Sequence, residues 1–258
     1  MKVLVTGVEG LIGQNVMHLL KDDGVPFVGD ITDKKAYEKL PEVDAVIHLA
    51  AITDTTFSDD REMMRVNYVG SRNALQYCQD KKIRLVYASS AAVYGCGDKP
   101  LTTYALSKWW CEIDAANYNN AVGLRYFNVY GFSEEHKGKS ASMIYQLYKQ
   151  MKEGSRPRIF KYGEQKRDFI YVKDVAEFTV DALTNGEGVI DVGTGVATSF
   201  NDVVDILNAE LKTDLMPEYI DNPYNFYQDY TCSNNKVGKY SLEEGIRDYE
   251  KEVNDEKR

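Results

Sequence analysis

No stretch of this chain approaches the ~20 consecutive apolar residues that a membrane-spanning helix requires, and its opening, MKVLVTG, has too short an apolar run for a secretory signal. A cytoplasmic location with no membrane partner is expected on that ground. Cysteine is scarce: Cys78, Cys96, Cys111 and Cys232 form no CxxC pair, and the three histidines are scattered. That pattern points to free thiols and away from a structural metal site, so no metal is expected. Positive charge is also short, with 31 Lys and Arg against 40 Asp and Glu and a net charge of −9. Affinity for phosphate backbones rests on clustered cations, which argues against a nucleic-acid partner. A phosphate-bearing small ligand needs only a local site and stays open. Internal repeats and low-complexity linkers are missing as well.

What is there reads as an ordered globular chain. Its 258 residues are 43% hydrophobic and 28% charged, enough for one large core or two modest ones. The first half alternates short apolar runs with segments of helical spacing. KVLVT, VPFVGD, DAVIHLA, RLVYASS and AVGLRYF read as strands. LIGQNVMHLLKDD, KKAYEKL, DREMMRVNYVGSRNALQYCQDK and TYALSKWWCEIDAANY read as helices. Continuous apolar strands alternating with helices indicate a parallel sheet covered on both faces. The expected fold class is α/β, a Rossmann-type doubly wound parallel sheet with a smaller C-terminal α+β substrate lobe. The nucleotide-binding part is expected over residues 1–130 and about 166–195, and the substrate lobe over 131–165 and about 196–240. A C-terminal helix and tail fill 241–258. Ser199 caps the helix SFNDVVDILNAELK, and Ser241 with Glu244 forms a capping box on the last one.

VTGVEGLIG places Gly7, Gly10 and Gly13 directly after the first strand and at the mouth of a helix. One such position makes a tight turn, one lets backbone approach a pyrophosphate, and one lets helix and strand pack closely. The helix N-terminus then offers N–H groups to an anion. The pattern predicts a dinucleotide site. Asp30 closes the second predicted strand, 20 residues after Gly10. A carboxylate there accepts from ribose hydroxyls and repels a 2′-phosphate, which favours NAD over NADP. Lys34 and Lys35 lie close enough to blur that preference. GDITD also reads as an adenine-contacting strand end, which leaves the role open between Asp30 and Asp33.

TTYALSKWW sets Tyr104 and Lys108 four apart on one helix face, and YASSAAVYG puts Ser90 at the end of a predicted central strand. Together these residues suit hydride-transfer chemistry. A phenol titrates near ~10, so a tyrosinate at neutral pH needs about 4 kcal/mol of help. A lysine ammonium and an oxidised nicotinamide, both cationic, supply it. The serine hydroxyl holds the substrate oxygen while its proton leaves.

TGVEGLIG, AVIHLAA, VNYVGSRNAL, YASSAAVYG, YALSK, LRYFNVYG and RDFIYVKDVA cover most of the chain. They make it resemble the extended short-chain dehydrogenases/reductases (the NAD-dependent epimerase/dehydratase family) that act on nucleotide sugars. Within them, HLAAITDTTFSDD, RYFNVYGFSEEHKGKSAS, KRDFIYV and YQDYT are most similar to the ADP-L-glycero-D-manno-heptose 6-epimerases. The resemblance implies an isomerase that oxidises a sugar carbinol with its own NAD or NADP, lets the ketone present its other face, and returns the hydride. Inversion needs a proton acceptor on each side of the centre: Tyr104 is one, and the resemblance puts the other at Lys137 of HKG. A lysine serves as a base only when burial or nearby positive charge pulls its pKa down. By the same resemblance the cofactor contacts are Gly7, Gly10, Leu11, Ile12, Gly13, Asp30, Ile31, Leu49, Ala50, Ala51, Asn67, Tyr104, Lys108 and Val129. Substrate contacts fall at Asn128, Lys139, Gln146, Phe160, Arg167 and Tyr227, with Arg167 on the diphosphate.

Three departures from that family bear on specificity. The chain is shorter around VGDITDKK, where a strand and its loop are missing. Lys139 stands where the family has a sugar-contacting serine, and Gln146 where it has a histidine. The partner expected is a nucleotide-diphosphate sugar, and the chain is expected to be a homo-oligomer, a dimer or larger. A UDP-hexose 4-epimerase needs Ser90, Tyr104 and Lys108 but not Lys137. A dehydratase places an acidic pair where Ala91 and Ala92 follow Ser90. A cofactor-bound sensor without turnover has no use for a tuned phenol.

Overall fold

The computed structural model describes residues 1–95, 100, 102–223 and 228–256. The chain forms two compact units, Met1–Tyr126 with Val175–Asp191, and Phe127–Asp174 with Val192–Arg258.

The first unit is built on a six-stranded sheet in the order β2-β1-β3-β4-β5-β9. Its strands are β1 (Val3–Thr6), β2 (Gly24–Pro26), β3 (Ala45–His48), β4 (Arg84–Ser90), β5 (Ala121–Tyr126) and β9 (Gly188–Val192). Pairing is parallel from β2 through β5, with Val3 opposite both Gly24 and Ala45. Every residue of β1 and β3 is buried, as expected of strands covered on both faces. The intervening helices are α1 (Leu11–Leu20), α2 (Lys34–Glu38), α3 (Asp60–Met64), α4 (Gly70–Lys81) and α5 (Thr103–Ala115). Leu4, Phe27, Tyr37, Val46, Leu75 and Leu85 join one buried cluster. The chain leaves β1 for β2 on one side and takes up β3 on the other, which puts the topological switch point between β1 and β3.

Two expected elements differ from what forms. The strand predicted to end at Asp30 stops at Pro26, although Phe27 N–H still bonds Val5 O at 2.8 Å. Gly29, at φ 142°, and the loop that follows turn the chain away before Asp30. Among the described residues no strand lies outside β2, and one 3-10 turn (Lys21–Asp23) joins it to α1. The long helix predicted over 60–81 is continuous but contains a π turn at Arg65–Val69. There Ser71 Oγ takes the Asn67 carbonyl at 2.6 Å, and the buried Asn67 side chain pairs with both backbone groups of Ile52.

The second unit holds β6 (Asn128–Tyr130), β7 (Arg158–Phe160), β8 (Lys166–Tyr171), β10 (Ala197–Ser199) and β11 (Glu218–Ile220). β8 lies between β10, antiparallel to it, and β6, parallel to it, while β7 and β11 pair separately. These pairings draw residues 166–174, grouped by sequence with the nucleotide-binding part, into the second unit. Its helices are α6 (Met143–Lys152), α8 (Phe200–Leu211) and α9 (Leu242–Glu256), and α9 belongs to the unit rather than standing apart. α7 (Val172–Asp181) spans the boundary. The expected capping box of Ser241 with Glu244 forms, and Ser199, expected as a cap, makes a second box with Asp202.

Asp168, fully buried on β8, accepts from Thr194 N and Oγ1, Gly195 N and Ser233 N at 2.7–3.0 Å. It staples the turn after β9 to the segment that follows the lobe's irregular stretch. Asp168→Ala strands those donors, and the expected loss is about 3 kcal/mol, read as a lower midpoint in urea denaturation.

Candidate functional site

The glycine loop of the first unit is fixed by steric limits. Gly7 has φ 71°, and a Cβ there would lie 2.7 Å from Ala50 N. A Cβ on Gly13 would lie 2.0 Å from Gly7 O, so helix and loop meet without room for a methyl group. Gly10 caps α1 in an extended conformation with no side-chain cap, and its N–H returns to Gly7 O at 3.1 Å. The N–H end of α1 therefore opens at the loop, beside the switch point. This cradle of backbone fits a pyrophosphate.

The chain leaving β3 is held against the loop by a buried polar relay. Thr6 Oγ1 accepts from Leu49 N and Ala50 N, both at 3.1 Å, so its own proton goes to His48 Nδ1 at 2.9 Å. Ser71 gives its proton to Asn67 O, so it accepts from His48 Nε2 at 3.1 Å. Burial, with the Lys108 charge adding, pushes the imidazole pKa down to about 3 and keeps it neutral, as this pattern demands. Leu49, Ala50 and Ala51, expected at the cofactor, follow directly from this relay.

Asp30 is exposed and accepts from Thr32 N at 2.8 Å and Arg65 Nη1 at 3.4 Å. The Thr32 bonds and Arg65 hold its carboxyl below the usual range. Arg65 is itself bound by both oxygens of Glu62, at 2.7 and 2.8 Å. Ile31 is buried, and Asn73 Nδ2 donates to the carbonyls of Ile31 and Thr32, which pins this loop to α4.

Ser90 ends β4, while Tyr104 and Lys108 lie one turn apart on α5, and the three converge. Burial raises the Tyr104 pKa, and a hydrogen bond with the Ser90 hydroxyl opposes that rise. Ser90 Oγ also accepts from Ala92 N at 3.1 Å. Lys108, 3% exposed, donates to Ala88 O at 2.9 Å and stands 5.9 Å from the centre of the Tyr104 ring. Burial lowers its pKa. Ser107 Oγ accepts from Asn67 Nδ2 at 3.3 Å and donates to Tyr104 O, tying the π turn to the tyrosine's backbone.

Sequence reading missed the support beneath this trio. Glu112, one turn beyond Lys108, takes Arg125 on both carboxylate oxygens at 2.8 and 2.7 Å and also accepts from Ser89, the neighbour of Ser90. Arg125 donates to Tyr94 Oη at 2.8 Å, and Tyr94 donates to Asp191 at 2.7 Å. The i, i+4 spacing of Glu112 from Lys108 was the available signal. The Thr6–His48 pair needed the β1–β3 register to be seen.

In the second unit, Asn128 Nδ2 donates to Asp168 O at 3.0 Å and Thr231 Oγ1 at 3.3 Å. Val129 follows it in β6. Arg167 is buried and donates to Lys166 O at 2.9 Å, whereas the Asp168 oxygens are engaged by the donors named above. Gln146, on α6, donates to Ala141 O at 2.8 Å, and Phe160 ends β7. Lys139 lies in the turn Glu135–Ser140. Tyr227 falls outside the described residues. Lys137 is partly exposed and pairs with the buried Glu134 at 3.2 Å.

Residues 3–193 match the model of the NAD dependent epimerase/dehydratase family. Among solved structures, the chain is similar to the ADP-L-glycero-D-manno-heptose-6-epimerase of Helicobacter pylori, at 29% identity and a TM-score of 0.89, covering 98% of this chain and 96% of that one. The UDP-glucose 4-epimerase of Thermotoga maritima, solved with UDP-glucose, matches at 23% identity and a TM-score of 0.89 over 100% of each chain. The UDP-glucose 4-epimerase of Thermus thermophilus, solved with NAD, matches at 24% and 0.81, over 96% of this chain and 97% of that one. The last two share the fold.

The Gly13 contact gives a direct test. Gly13→Ala must push the loop off the helix, and the expected outcome is loss of NAD binding in calorimetric titration, with about 2 kcal/mol of stability lost in urea.

Proposed function

Since the chain belongs to the NAD dependent epimerase/dehydratase family, we propose that it is a nucleotide-sugar epimerase that oxidises a carbinol of its substrate to a ketone and reduces it again from the other face. The observation that carries this reading is the convergence of Ser90, Tyr104 and Lys108 at the end of β4. A binding module has no need of a half-buried phenol with a serine hydroxyl on it and a lysine beside it.

The geometry and the resemblance together support the following roles. Gly7, Gly10 and Gly13, with Leu11 and Ile12 at the mouth of α1, hold the pyrophosphate of NAD. Ile31, Leu49, Ala50, Ala51, Asn67 and Val129 complete the cofactor contacts. Bound NAD supplies the hydride acceptor and a positive charge that favours phenolate. Tyr104 Oη takes the carbinol proton and later returns one, while Ser90 Oγ holds the substrate oxygen in line. Lys108, braced by Ala88 O, adds its charge near the ring when protonated and orients the cofactor ribose. Asp30 supports NAD over NADP, because Arg65 is already matched by Glu62 and Asp30 and the loop presents no spare guanidinium to a 2′-phosphate.

Lys137 is the second proton carrier. The substrate is a nucleotide-diphosphate sugar, with ADP-glycero-manno-heptose inverted at C6 the reading that the resemblance supports best. Asn128, Gln146 and Phe160 are assigned to the sugar and base, as the resemblance also assigns Lys139 and Tyr227, and Arg167 takes the diphosphate through its two-pronged donor set. The domain of residues 1–126 and 175–191 is thus the cofactor domain, and the rest is the substrate lobe. Cys78, Cys111 and Cys232 are free thiols, which supports a cytoplasmic setting. Trp109, Trp110 and Ile113 are 42%, 39% and 50% exposed on α5, which supports a homo-oligomer.

UDP-hexose 4-epimerisation is the second reading, favoured by the partial exposure of the Lys137 side chain, since that reaction leaves the lysine unused. Incubation of the NAD-loaded protein with ADP-, UDP- and GDP-sugars, followed by NMR, separates the two. Inversion at C6 of the ADP-heptose is expected; inversion at C4 of a UDP-hexose assigns the second, and binding without turnover rejects both. Tyr104→Phe should retain NAD while turnover falls at least 100-fold, roughly the range of acid–base catalysis.

Ser90 gives a pH test. The tyrosine must be ionised to accept a proton, so the rate rises with pH through its pKa. The Ser90 bond lowers that pKa, so in Ser90→Ala the rising limb of the kcat/KM profile should move to higher pH.

A further inference from the structure

We propose that Glu134 is a positioning residue that fixes Lys137 in the loop for proton transfer; this rests on the reading of Lys137 as a proton carrier given above.

Glu134 is 0% exposed, although it stands in a loop of charged and small residues. A carboxylate so buried is costly unless its oxygens are filled. They are. Oε1 accepts from Gly131 N at 3.2 Å and Ser142 Oγ at 2.7 Å. Oε2 accepts from Ser142 N at 2.7 Å and Lys137 Nζ at 3.2 Å. Gly131 begins the loop and Ser142 caps α6, where its Oγ also accepts from Tyr145 N at 3.1 Å. One side chain thus gathers the start of the loop, its end, and the lysine between them.

The three neutral donors would be enough to close the loop. Lys137 is held more fully than closure requires. Its backbone N–H donates to Glu134 O at 3.0 Å, its Nζ to Glu134 Oε2, and its own carbonyl accepts from Ser140 Oγ at 2.8 Å. A free lysine has several rotatable bonds and a large rotamer freedom to lose when it must meet a substrate atom. Here that loss is incurred on folding, because the buried carboxylate holds the ammonium before substrate arrives, in the form that gives a proton to the ketone oxygen when Tyr104 has served as the base. Preorganisation of this kind lowers the barrier of the step without adding affinity. Glu134 touches no reacting atom under this account and acts through Lys137.

The test joins kinetics to a readout independent of turnover. In the full-length, NAD-loaded protein, Lys137→Ala, Glu134→Gln and the double variant are compared using both epimers of ADP-glycero-manno-heptose. Lys137→Ala should slow one direction of oxidation roughly 100-fold. Glu134→Gln should lower kcat in that same direction about 10-fold with little change in KM. The double variant should be no slower than Lys137→Ala alone, because the glutamate acts only through the lysine. In parallel, competitive acylation read by peptide mass spectrometry should show Lys137 becoming severalfold more reactive in Glu134→Gln, as its amine is released. Glu134→Asp, which keeps the charge, should recover part of the rate, and it replaces Glu134→Gln in the cycle where the latter does not fold.

Effects that multiply in the double variant, a loss seen in KM rather than kcat, or unchanged acylation overturn the proposal and leave Glu134 a loop staple. Wild-type rates in Lys137→Ala, or a substrate that turns out to be a UDP-hexose, remove the reading beneath it as well.

Discussion

The site of the first unit depends on the close packing of its glycine loop, through two approaches: Gly13 to the carbonyl of Gly7, and Gly7 to the backbone at Ala50. These contacts leave no volume for a side chain. They bring the N-terminus of α1, the end of β1 and the exit from β3 to one point. The groups that the loop offers there are backbone, so their geometry is set by packing rather than by rotamers. The Thr6–His48–Ser71 relay secures the same point from beneath, using each proton once. A neutral imidazole is essential to that chain. A charged ring would carry a proton on Nδ1 facing the Thr6 hydroxyl proton, and the relay would lose a bond at a buried position where each polar group counts.

A common rule governs the buried carboxylates. Glu112 meets Arg125 and Ser89, Asp168 meets the donors of Thr194, Gly195 and Ser233, and Glu134 meets Gly131, Ser142 and Lys137. Each joins segments distant in sequence or closes an irregular loop where hydrophobic packing is sparse. Losing one donor from such a set costs more than forming it contributes, since the remaining charge stays buried. That asymmetry explains how short strands and irregular turns of the second unit hold definite shapes.

The parts of the fold set by period and by glycine were legible in advance. The parallel strands, the helices between them, the Ser199 cap and the Ser241–Glu244 capping box follow from local spacing, and Ser90, Tyr104 and Lys108 meet where their positions on β4 and α5 imply. What escaped depends on register or on diverted hydrogen bonds. The π turn at Arg65–Val69 leaves no mark on the apolar period, because Asn67 is buried there for its amide rather than its hydrophobicity. The end of β2 at Pro26 is decided by Gly29 and the Asn73 clamp on the following loop, and a run such as VPFVGD shows neither. The short strands β6, β10 and β11 take their form from partners in the second unit's sheets. Glu134 looked like one more loop charge. Only burial distinguishes it from Glu135.

Burial acts on Tyr104 and Lys108 in a way that bears on when the site works. It favours the neutral form of each, so the phenol keeps its proton and the ammonium is pressed to lose one. The same desolvation would therefore weaken the pair if nothing else acted on it, since a lysine that gives up its charge no longer stabilises a phenolate. Ser90 is the group that pulls Tyr104 the other way. A serine hydrogen bond is small against full desolvation, so the apo site rests with the tyrosine protonated. Positive charge brought in with a ligand changes the balance most where water is excluded, because the interaction is then weakly screened. On the proposed reading of Tyr104, the base is thus made available when cofactor is in place and withheld when it is not. On that reading the desolvation of Tyr104 and Lys108, which looks like a handicap for ionisable residues, makes proton removal conditional on occupancy.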